Sequence, residues 1–371
     1  MTGPAALALR GVSKRYGRTV ALDGLDLEVA EGEFFCLLGP SGAGKTTTLK
    51  TVAGLVEPDA GTVELGGADM AGVEPYDRGV AMCFESYALY PHRTVRDNLA
   101  SPLRSPRHRL PAHLARERIG EVAELLGIGA LLERPVGRLS NGQRQRVALG
   151  RVLVRPARAF LLDEPLSHLD AKLRQAMRAQ LRAIGAVRDT TTLYVTHDSV
   201  EALALGDRIG VLRDGRAVQT GTREELWYRP CDTFVARSFG RPQINLLPGT
   251  VTAEGRLRAP DGAYELPLAV PAPPGTAVQL GLRPRDIGLG APRPADGPGW
   301  ELTGTVHVTE LLGRAVEVTV RTGGQRLSLV VPRAEAAGLV PDRPVRLSVR
   351  PESLLLFEAD RPARPGRRIS T

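Results

Sequence analysis

The chain has 371 residues and a formal net charge of +8, and this length suits two compact domains better than one. Four arginines and no acid stand in residues 361–371, which leaves +4 for the rest of the chain, so the charge does not indicate a nucleic-acid-binding protein. The sequence has neither the run of about 18 apolar residues that spans a bilayer nor the residue order of a secretory signal. We therefore expect a chain that stays in the cytoplasm and reaches membranes through partners.

The three cysteines, Cys36, Cys83 and Cys231, are odd in number and far apart. This fits neither a disulfide framework nor a metal site with paired ligands. We expect them to be reduced and mostly buried.

Residues 1 to about 240 alternate apolar runs with helix-like segments. Runs that are apolar throughout are typical of strands covered on both faces, so we predict an α/β domain with a mainly parallel sheet. The runs are residues 34–38, 80–84, 159–162 and 192–195. Between the second and third runs, Ile119, Val122, Leu125 and Leu126 recur at helical spacing, which predicts an inserted helical subdomain at about residues 90–150.

The sequence pattern changes after about residue 240, where turns rich in Pro and Gly separate short segments of alternating apolar and polar residues. This pattern predicts a second, β-rich domain over residues 241–360, a small β-barrel or sandwich. The basic tail, residues 361–371, is predicted to be disordered.

The strongest local motif is GPSGAGKT, residues 39–46, between an apolar run and a plausible helix. Its glycines let backbone N–H groups surround phosphate oxygens, Lys45 would reach the β- and γ-phosphates, and the Thr46 hydroxyl would bind Mg²⁺. A glycine-rich turn without a ligand is the alternative, which the full spacing disfavours. The residues expected to bind the nucleotide here are Gly39, Pro40, Ser41, Gly42, Ala43, Gly44, Lys45, Thr46 and Thr47.

Two later apolar runs also end in polar residues. Asp163 and Glu164 follow one run, where they suit holding Mg²⁺ and polarising water, and His197 follows another, where it suits contact with a γ-phosphate or the attacking water. Alone, the two acids are typical of a helix start and the histidine of a structural role. Their coincidence favours function, because open α/β sheets bind ligands at the carboxyl ends of their strands.

Two further features have more than one interpretation. Ser140 and Gln143 in LSNGQ have the spacing of a helix capping box, and an exposed helix start of this kind also binds anions. Tyr16 suits stacking on an adenine ring and packing in a turn equally well.

Together these motifs resemble the ATP-binding subunits of ABC transporters. The phosphate loop, LSNGQ (similar to the family's LSGGQ signature), the pair Asp163 and Glu164, the SHLD loop ending at Asp170, and His197 follow the family's order. Four segments, residues 86–92, 166–174, 244–249 and 280–287, are similar to the maltose-importer ATPase group.

The resemblance implies a P-loop NTPase domain with an inserted helical subdomain, followed by an oligonucleotide-binding-like β-barrel of the TOBE type. It implies an ATPase that energises import of carbohydrates or polyols from the cytoplasmic face of the membrane. Two ATPase subunits would lie beneath two permease subunits, with an extracytoplasmic binding protein as an indirect partner. They would sandwich two ATP molecules, with Mg²⁺, head to tail.

The resemblance also implies residue roles. Tyr16 would stack on adenine, Glu164 would be the general base, and His197 would orient water and the γ-phosphate. The facing subunit would supply the cap of each site. The residues expected to touch nucleotide in this way are Ser140, Asn141, Gly142, Gln143 and Asp170.

Three other functions remain as alternatives. Polyamine, sulfate and iron importers have similar ATPases. Soluble ABC ATPases that act on nucleic acid generally have two nucleotide halves or a coiled-coil insertion, and this sequence shows neither, so we expect no direct nucleic-acid binding. A non-hydrolysing adaptor is disfavoured by Glu164 and His197.

The sequence departs from the family pattern at Glu85, where glutamine is usual, at Asn141, where glycine is usual, and at His168, a minor change. An ionised Glu85 only accepts hydrogen bonds; beside Asp163 it would strengthen Mg²⁺ binding and oppose an anionic transition state. In a head-to-tail dimer Glu85 lies at its own chain's ATP and Asn141 faces the partner's. We therefore hypothesise a heterodimer with a different ATPase, with a homodimer as the alternative.

Overall fold

The computed structural model describes residues 5–84, 86–105, 109–188, 190–268, 271–291, 300–361 and 364–369. The chain divides into two compact units, Met1–Glu224 and Glu225–Thr371. This boundary precedes the predicted one at about 240 because the segment between them packs with the second unit. There Ala236 and Ile244 form an apolar cluster with Leu355 and Phe357.

The first unit contains ten strands among its described residues. They are β1 (Ala5–Tyr16), β2 (Thr19–Ala30), β3 (Phe34–Leu38), β4 (Ala60–Leu65), β5 (Ala68–Asp69), β6 (Val80–Cys83), β7 (Ala159–Asp163), β8 (Thr191–Thr196), β9 (Arg208–Arg213) and β10 (Arg216–Thr222). Its helices are α1 (Lys45–Val52), α2 (Val95–Ala100), α3 (Ala112–Leu125), α4 (Asn141–Leu153), α5 (Ala171–Arg188) and α6 (Ser199–Leu205). Helix α7 (Arg223–Tyr228) contains the boundary between the units.

The central sheet of the first unit has the strand order β10-β9-β3-β8-β7-β6. Its pairs are parallel from β9 to β6, and only β10 runs antiparallel to its neighbour. Every residue of β3, β7 and β8 is buried, which confirms the prediction made from the apolar runs. A second, antiparallel sheet has the order β2-β1-β4-β5, and one apolar core contains side chains of both sheets.

The predicted helical insertion lies between β6 and β7 and contains α2, α3 and α4. Ile119, Val122 and Leu126 are buried, as the helical spacing of apolar residues predicted. Across the described residues, none of the helices is both long and apolar enough to pass through a bilayer.

Two of the cysteines lie in the central sheet. Cys36 in β3 and Cys83 in β6 are buried, whereas Cys231 in the second unit is exposed. Burial raises the pKa of Cys83 to about 12 and raises that of Cys36 well above its usual range. None of the three is joined in a disulfide bond.

The second unit is built of antiparallel strands after helix α8 (Thr233–Ser238). They are β11 (Asn245–Val251), β12 (Arg256–Arg258), β13 (Glu265–Pro267), β14 (Ala277–Leu282), β15 (Ile287–Leu289), β16 (Trp300–Leu312), β17 (Ala315–Thr322), β18 (Gln325–Pro332), β19 (Pro344–Val349) and β20 (Leu355–Glu358). They form two five-stranded sheets, ordered β13-β12-β11-β14-β20 and β15-β19-β16-β17-β18. Side chains of both sheets share one core, as expected for a small closed β domain.

The described part of the tail corrects the expectation of disorder. The Arg367 carbonyl accepts a 2.8 Å hydrogen bond from the Glu358 N–H, and the Ile369 N–H donates one of 2.8 Å to the Leu356 carbonyl. Ile369 also packs against the core of the second unit. Backbone pairing with β20 and the packing of Ile369 thus order a segment whose composition alone predicts disorder.

Arg283 organises the start of the second unit. It is only 4 % exposed and donates hydrogen bonds to the carbonyl oxygens of Phe239 (3.1 Å) and Trp227 (2.6 Å). Its guanidinium carbon lies 3.8 Å from the centroid of the Trp227 ring, a cation–π arrangement. Burial lowers the pKa of Arg283 to about 10, so the group stays charged at neutral pH.

We expect Arg283→Met to destabilise the second unit by about 2–4 kcal/mol, because two carbonyl groups lose their buried donor and the ring loses its cation. The measurement is urea denaturation of the full chain followed by tryptophan fluorescence. Both tryptophans, Trp227 and Trp300, belong to this unit, so the signal reports on it. Arg285→Met is the matched control, since Arg285 is exposed. Equal midpoints for the two variants would contradict the assigned role.

Candidate functional site

The phosphate loop, residues 39–46, connects β3 to α1. Gly44 has a φ of +105°, and a Cβ at this position would lie 2.3 Å from the Ala21 carbonyl oxygen. A Cβ at Gly39 would lie 2.5 Å from the carbonyl oxygen of Leu212. Glycine is therefore required at both positions for backbone close approach, and the loop is fixed against β2 and β9.

Lys45 begins α1 and is 6 % exposed. Its Nζ donates a 3.0 Å hydrogen bond to the Pro40 carbonyl oxygen and lies 3.7 Å from Oε1 of Glu164. The ammonium group thus lies between its own loop and the acid that follows β7.

Thr46 and Asp163 are brought together, as the sequence predicted for a magnesium site. The Thr46 hydroxyl donates a 3.1 Å hydrogen bond to Oδ1 of Asp163, and Asp163 is 3 % exposed. Two oxygen ligands from the protein suit Mg²⁺, which usually keeps water and phosphate oxygens as its other ligands. The donor set therefore fits the ion. Glu85, the third residue predicted to bind metal, lies outside the described residues.

Glu164 and His197 form the other close pair. Nδ1 of His197 lies 2.8 Å from Oε2 of Glu164, and the imidazole is 59 % exposed whereas the Glu164 side chain is 18 % exposed. Glu164 has a φ of +44°, a conformation that costs energy in a residue with a side chain. Its N–H donates a 3.0 Å hydrogen bond to the Val195 carbonyl, which holds this turn to β8.

The signature segment, residues 140–143, begins α4. The predicted capping box is confirmed: the Ser140 hydroxyl accepts from the Gln143 N–H at 3.3 Å, and the Ser140 N–H donates to Oε1 of Gln143 at 3.0 Å. Asn141 is exposed, and its side-chain oxygen accepts a hydrogen bond from Arg144. Gly142 lies beside Leu169. No hydrogen bond or ion pair among the described residues joins this segment to the phosphate loop.

Tyr16 and Asp170 also lie apart from the central contacts. Tyr16 ends β1, is 49 % exposed, and has Nζ of Lys14 at 6.0 Å from its ring centroid. Asp170 is exposed, and its Oδ1 accepts a 2.9 Å hydrogen bond from the Leu173 N–H at the start of α5. The remaining loop residues differ in exposure: Pro40 and Ser41 are exposed, Ala43 is buried and Thr47 is half-buried.

Sequence reasoning missed the turn at Asp214 and Gly215. Both residues have positive φ, +50° and +76°, and the Gly215 N–H donates a 3.1 Å hydrogen bond to the Ala43 carbonyl of the phosphate loop. An Asp-Gly pair between apolar segments signals a hairpin turn, so the turn between β9 and β10 was available from the sequence. Its support of the phosphate loop was not, because that contact joins distant positions.

Comparison with protein families identifies both parts of the chain. The family described as ABC transporter matches residues 22–167, and the family described as TOBE domain matches residues 280–357.

Curated relatives match over most of the chain. The sn-glycerol-3-phosphate import ATP-binding protein UgpC of Cereibacter sphaeroides is 44 % identical over 367 residues, which cover 98 % of this chain and all of the relative. The trehalose/maltose import ATP-binding protein MalK of Thermococcus litoralis is 44 % identical, covering 86 % of this chain and 89 % of the relative. The sulfoquinovosyl glycerol transport ATP-binding protein SmoE of Agrobacterium fabrum is 41 % identical, covering 96 % and 98 %.

Solved structures match more than half of the chain in fold. A bacterial ABC transporter cassette, solved as a dimer, has a TM-score of 0.55 at 26 % identity and covers 58 % of this chain and 98 % of its own. A dimeric post-hydrolysis state of the same cassette, with ADP and Pi bound, has a TM-score of 0.54, the same identity and the same coverage. With the phosphate loop and the acids after β7 arranged as described, and with relatives this similar over nearly its full length, the chain belongs to the family of ATP-binding proteins of ABC transporters.

Proposed function

We propose that this chain hydrolyses ATP at the edge of its central sheet and so drives an ABC importer for carbohydrates or polyols. The observation that carries the proposal is the contact series Lys45, Glu164 and His197, at 3.7 Å and 2.8 Å, next to the pair of Thr46 and Asp163. The site thus brings together a cation that can bind phosphate, a carboxylate that can accept a proton from water, and oxygen atoms that can bind magnesium.

The phosphates of ATP would bind in the phosphate loop. Its backbone N–H groups and the start of α1 favour an anion, and Lys45 adds a nearly buried positive charge. Thr46 and Asp163 would hold magnesium, which supplies charge neutralisation at the phosphate oxygens. Glu85 remains a proposed third ligand from the sequence.

Glu164 would act as the general base. Its carboxylate takes a proton from the attacking water as the water oxygen bonds to the γ-phosphorus and the bond to the ADP oxygen breaks. His197 contacts Oε2, which leaves Oε1, the atom nearest Lys45, for the proton transfer. His197 is exposed enough to contact both a γ-phosphate and the water.

A second ATPase subunit would complete each site. The signature segment begins a capped helix, with Ser140 and Asn141 exposed, and the described contacts do not join it to its own phosphate loop. An exposed helix start suits an anion supplied by another subunit, and the two solved cassette structures similar in fold are dimers. Asn141 occupies the first glycine position, which supports pairing with a different ATPase.

The imported class follows from the relatives, whose names refer to sn-glycerol-3-phosphate, trehalose or maltose, and sulfoquinovosyl glycerol. Each is a sugar or a polyol derivative, which favours this class over polyamines, sulfate or iron. Two permease subunits and, indirectly, an extracytoplasmic binding protein would be the partners. The chain would lie at the cytoplasmic face of the membrane.

Within the transporter assembly in which the chain hydrolyses ATP, Glu164→Gln should lower the turnover of ATP by about 100-fold or more, the usual contribution of a general base, while ATP affinity is retained. Phosphate release gives the turnover, and isothermal titration calorimetry gives the affinity. Glu117→Gln, in an exposed position on α3, is the control and should match the unaltered chain.

The same variant also tests the importer. In cells that depend on this chain, Glu164→Gln should abolish uptake of a labelled carbohydrate or polyol that the unaltered chain supports. Full turnover by the variant would remove Glu164 from the mechanism, and uptake of only a polyamine, sulfate or iron would overturn the substrate class.

Lys45→Ala should weaken ATP binding by about 10- to 100-fold, since a hydrogen bond to a charged group contributes about 1.5–3 kcal/mol. Lys50→Ala is matched to it, because Lys50 lies on the same helix, α1. Calorimetric titration with ATP compares the two. An affinity loss that is the same in both variants would mean that general charge, and not the position of Lys45, binds the phosphates.

Asn141 gives a test of the dimer. The unaltered chain with ATP should stay monomeric in light scattering, because the Asn141 side chain stands where backbone would approach the facing phosphate, and Asn141→Gly should self-associate. Asn141→Ala, which shortens the side chain but keeps a Cβ, should give intermediate association. A stable ATP-dependent homodimer of the unaltered chain, with full turnover, would rule out the need for a different partner.

A further inference from the structure

Arg174 holds the loop that follows Glu164, the proposed general base. It lies in the first turn of α5, and its side chain is 29 % exposed. Its Nη2 donates to the carbonyl oxygens of Leu169 at 2.9 Å and Ser167 at 3.4 Å, and its Nε donates to that of Leu166 at 3.3 Å. One planar guanidinium thus binds three carbonyl oxygens of a loop without regular structure.

This loop is attached to Glu164 itself. The Ser167 hydroxyl donates a 3.0 Å hydrogen bond to the Glu164 carbonyl, and the Ser167 N–H approaches the same oxygen at 3.3 Å. Because Glu164 has positive φ, its turn depends on such contacts to keep its conformation.

The same guanidinium faces the segment that contains His197. Nη1 of Arg174 lies 3.9 Å from Oδ2 of Asp198, the residue directly after His197. The other carboxylate oxygen of Asp198 accepts a 2.8 Å hydrogen bond from the Val200 N–H and caps α6. Arg174 therefore contacts the residue that sets where His197 leaves the sheet.

Glu201 adds a second anchor on that side. Its Oε1 lies 3.8 Å from Nε of Arg174, and its Oε2 accepts 2.8 Å hydrogen bonds from the Tyr194 and Thr196 hydroxyls of β8. Glu201 is 3 % exposed, so its negative charge is opposed by Arg174 in an environment where solvent screens little.

We propose that Arg174 is a positioning residue that fixes Glu164 and His197 relative to each other, by holding the loop after β7 and the helix start after β8 with one side chain. This inference rests on the proposed function of that pair. Arg174 touches neither reacting group, so it acts through them. Lysine would keep the charge opposite Asp198 and Glu201 but cannot hold three carbonyl groups with a planar fork.

The test compares Arg174→Gln and Arg174→Lys in the full chain, within the transporter assembly in which the chain hydrolyses ATP. Arg174→Gln should lower kcat by about 10- to 100-fold and leave KM for ATP unchanged, and Arg174→Lys should recover part of the loss. In a Glu164→Gln background, Arg174→Gln should cause no further loss, because the positioned base is already absent.

Arg182→Gln is the matched control. Arg182 lies on the same helix and also contacts the segment after β8, through the Leu205 carbonyl at 2.6 Å and Asp207 at 3.3 Å, but no hydrogen bond in the described part joins it to the loop after Glu164. It should keep normal kcat. Thermal melting of each variant identifies any loss of fold. If Arg174→Gln has a lower melting temperature than the unaltered chain, the kcat of Arg174→Lys alone is used to test the proposal.

Three results would overturn the proposal: normal kcat in both Arg174 variants, equal loss in Arg182→Gln, or an additive loss in the Glu164→Gln background. If Glu164→Gln itself retains turnover, the proposed function fails first, and that outcome is distinct from failure at Arg174.

Discussion

Strand β8 pairs in parallel with β3 on one side and with β7 on the other. Parallel strands present their carboxyl ends at one edge of a sheet, and open α/β sheets bind ligands at that edge. The phosphate loop follows β3, the acids follow β7, and His197 follows β8. The acids and the histidine are ordinary in isolation, and the parallel pairing of three buried strands brings them to the phosphate loop as one site.

The backbone around this edge is more constrained than its side chains suggest. Gly44 and Gly39 have no room for a Cβ, Glu164 adopts a left-handed conformation, and the Gly215 N–H supports the phosphate loop from a separate hairpin. A substitution that spares the charged residues can therefore still disturb the site by moving main chain. The arrangement is rigid where phosphate would bind and open at His197, where another surface can approach.

Much of this could be predicted from the sequence, because the relevant signals are local. The buried strands β3, β7 and β8 follow from uninterrupted apolar runs, the inserted helices from periodic residues such as Ile119 and Val122, and the capping box from Ser140 and Gln143. The phosphate loop carries its function in its spacing, and its convergence with Asp163 follows from the parallel sheet.

What could not be predicted depends on contacts between distant positions. The division between the units precedes the change in composition because Ala236 packs with Phe357, and no local pattern shows such a pairing. The composition of residues 361–371 predicted disorder, because arginine and proline are typical of solvated segments. In the structure, however, Ile369 packs against the apolar core of the second unit, and the Arg367 carbonyl bonds to the edge of β20. The role of Arg174 could not be predicted locally, since its partners lie in two separate segments, the loop after β7 and the start of α6.

The placement of the cysteines has a consequence for redox chemistry. Oxidants and alkylating agents react with the thiolate, and burial keeps Cys36 and Cys83 protonated within the central sheet. Cys231, which is exposed, meets such reagents first. Thiol oxidation in this chain would therefore begin on the β-rich unit, and the two thiols beneath the nucleotide-binding edge would be spared until their sheet opened.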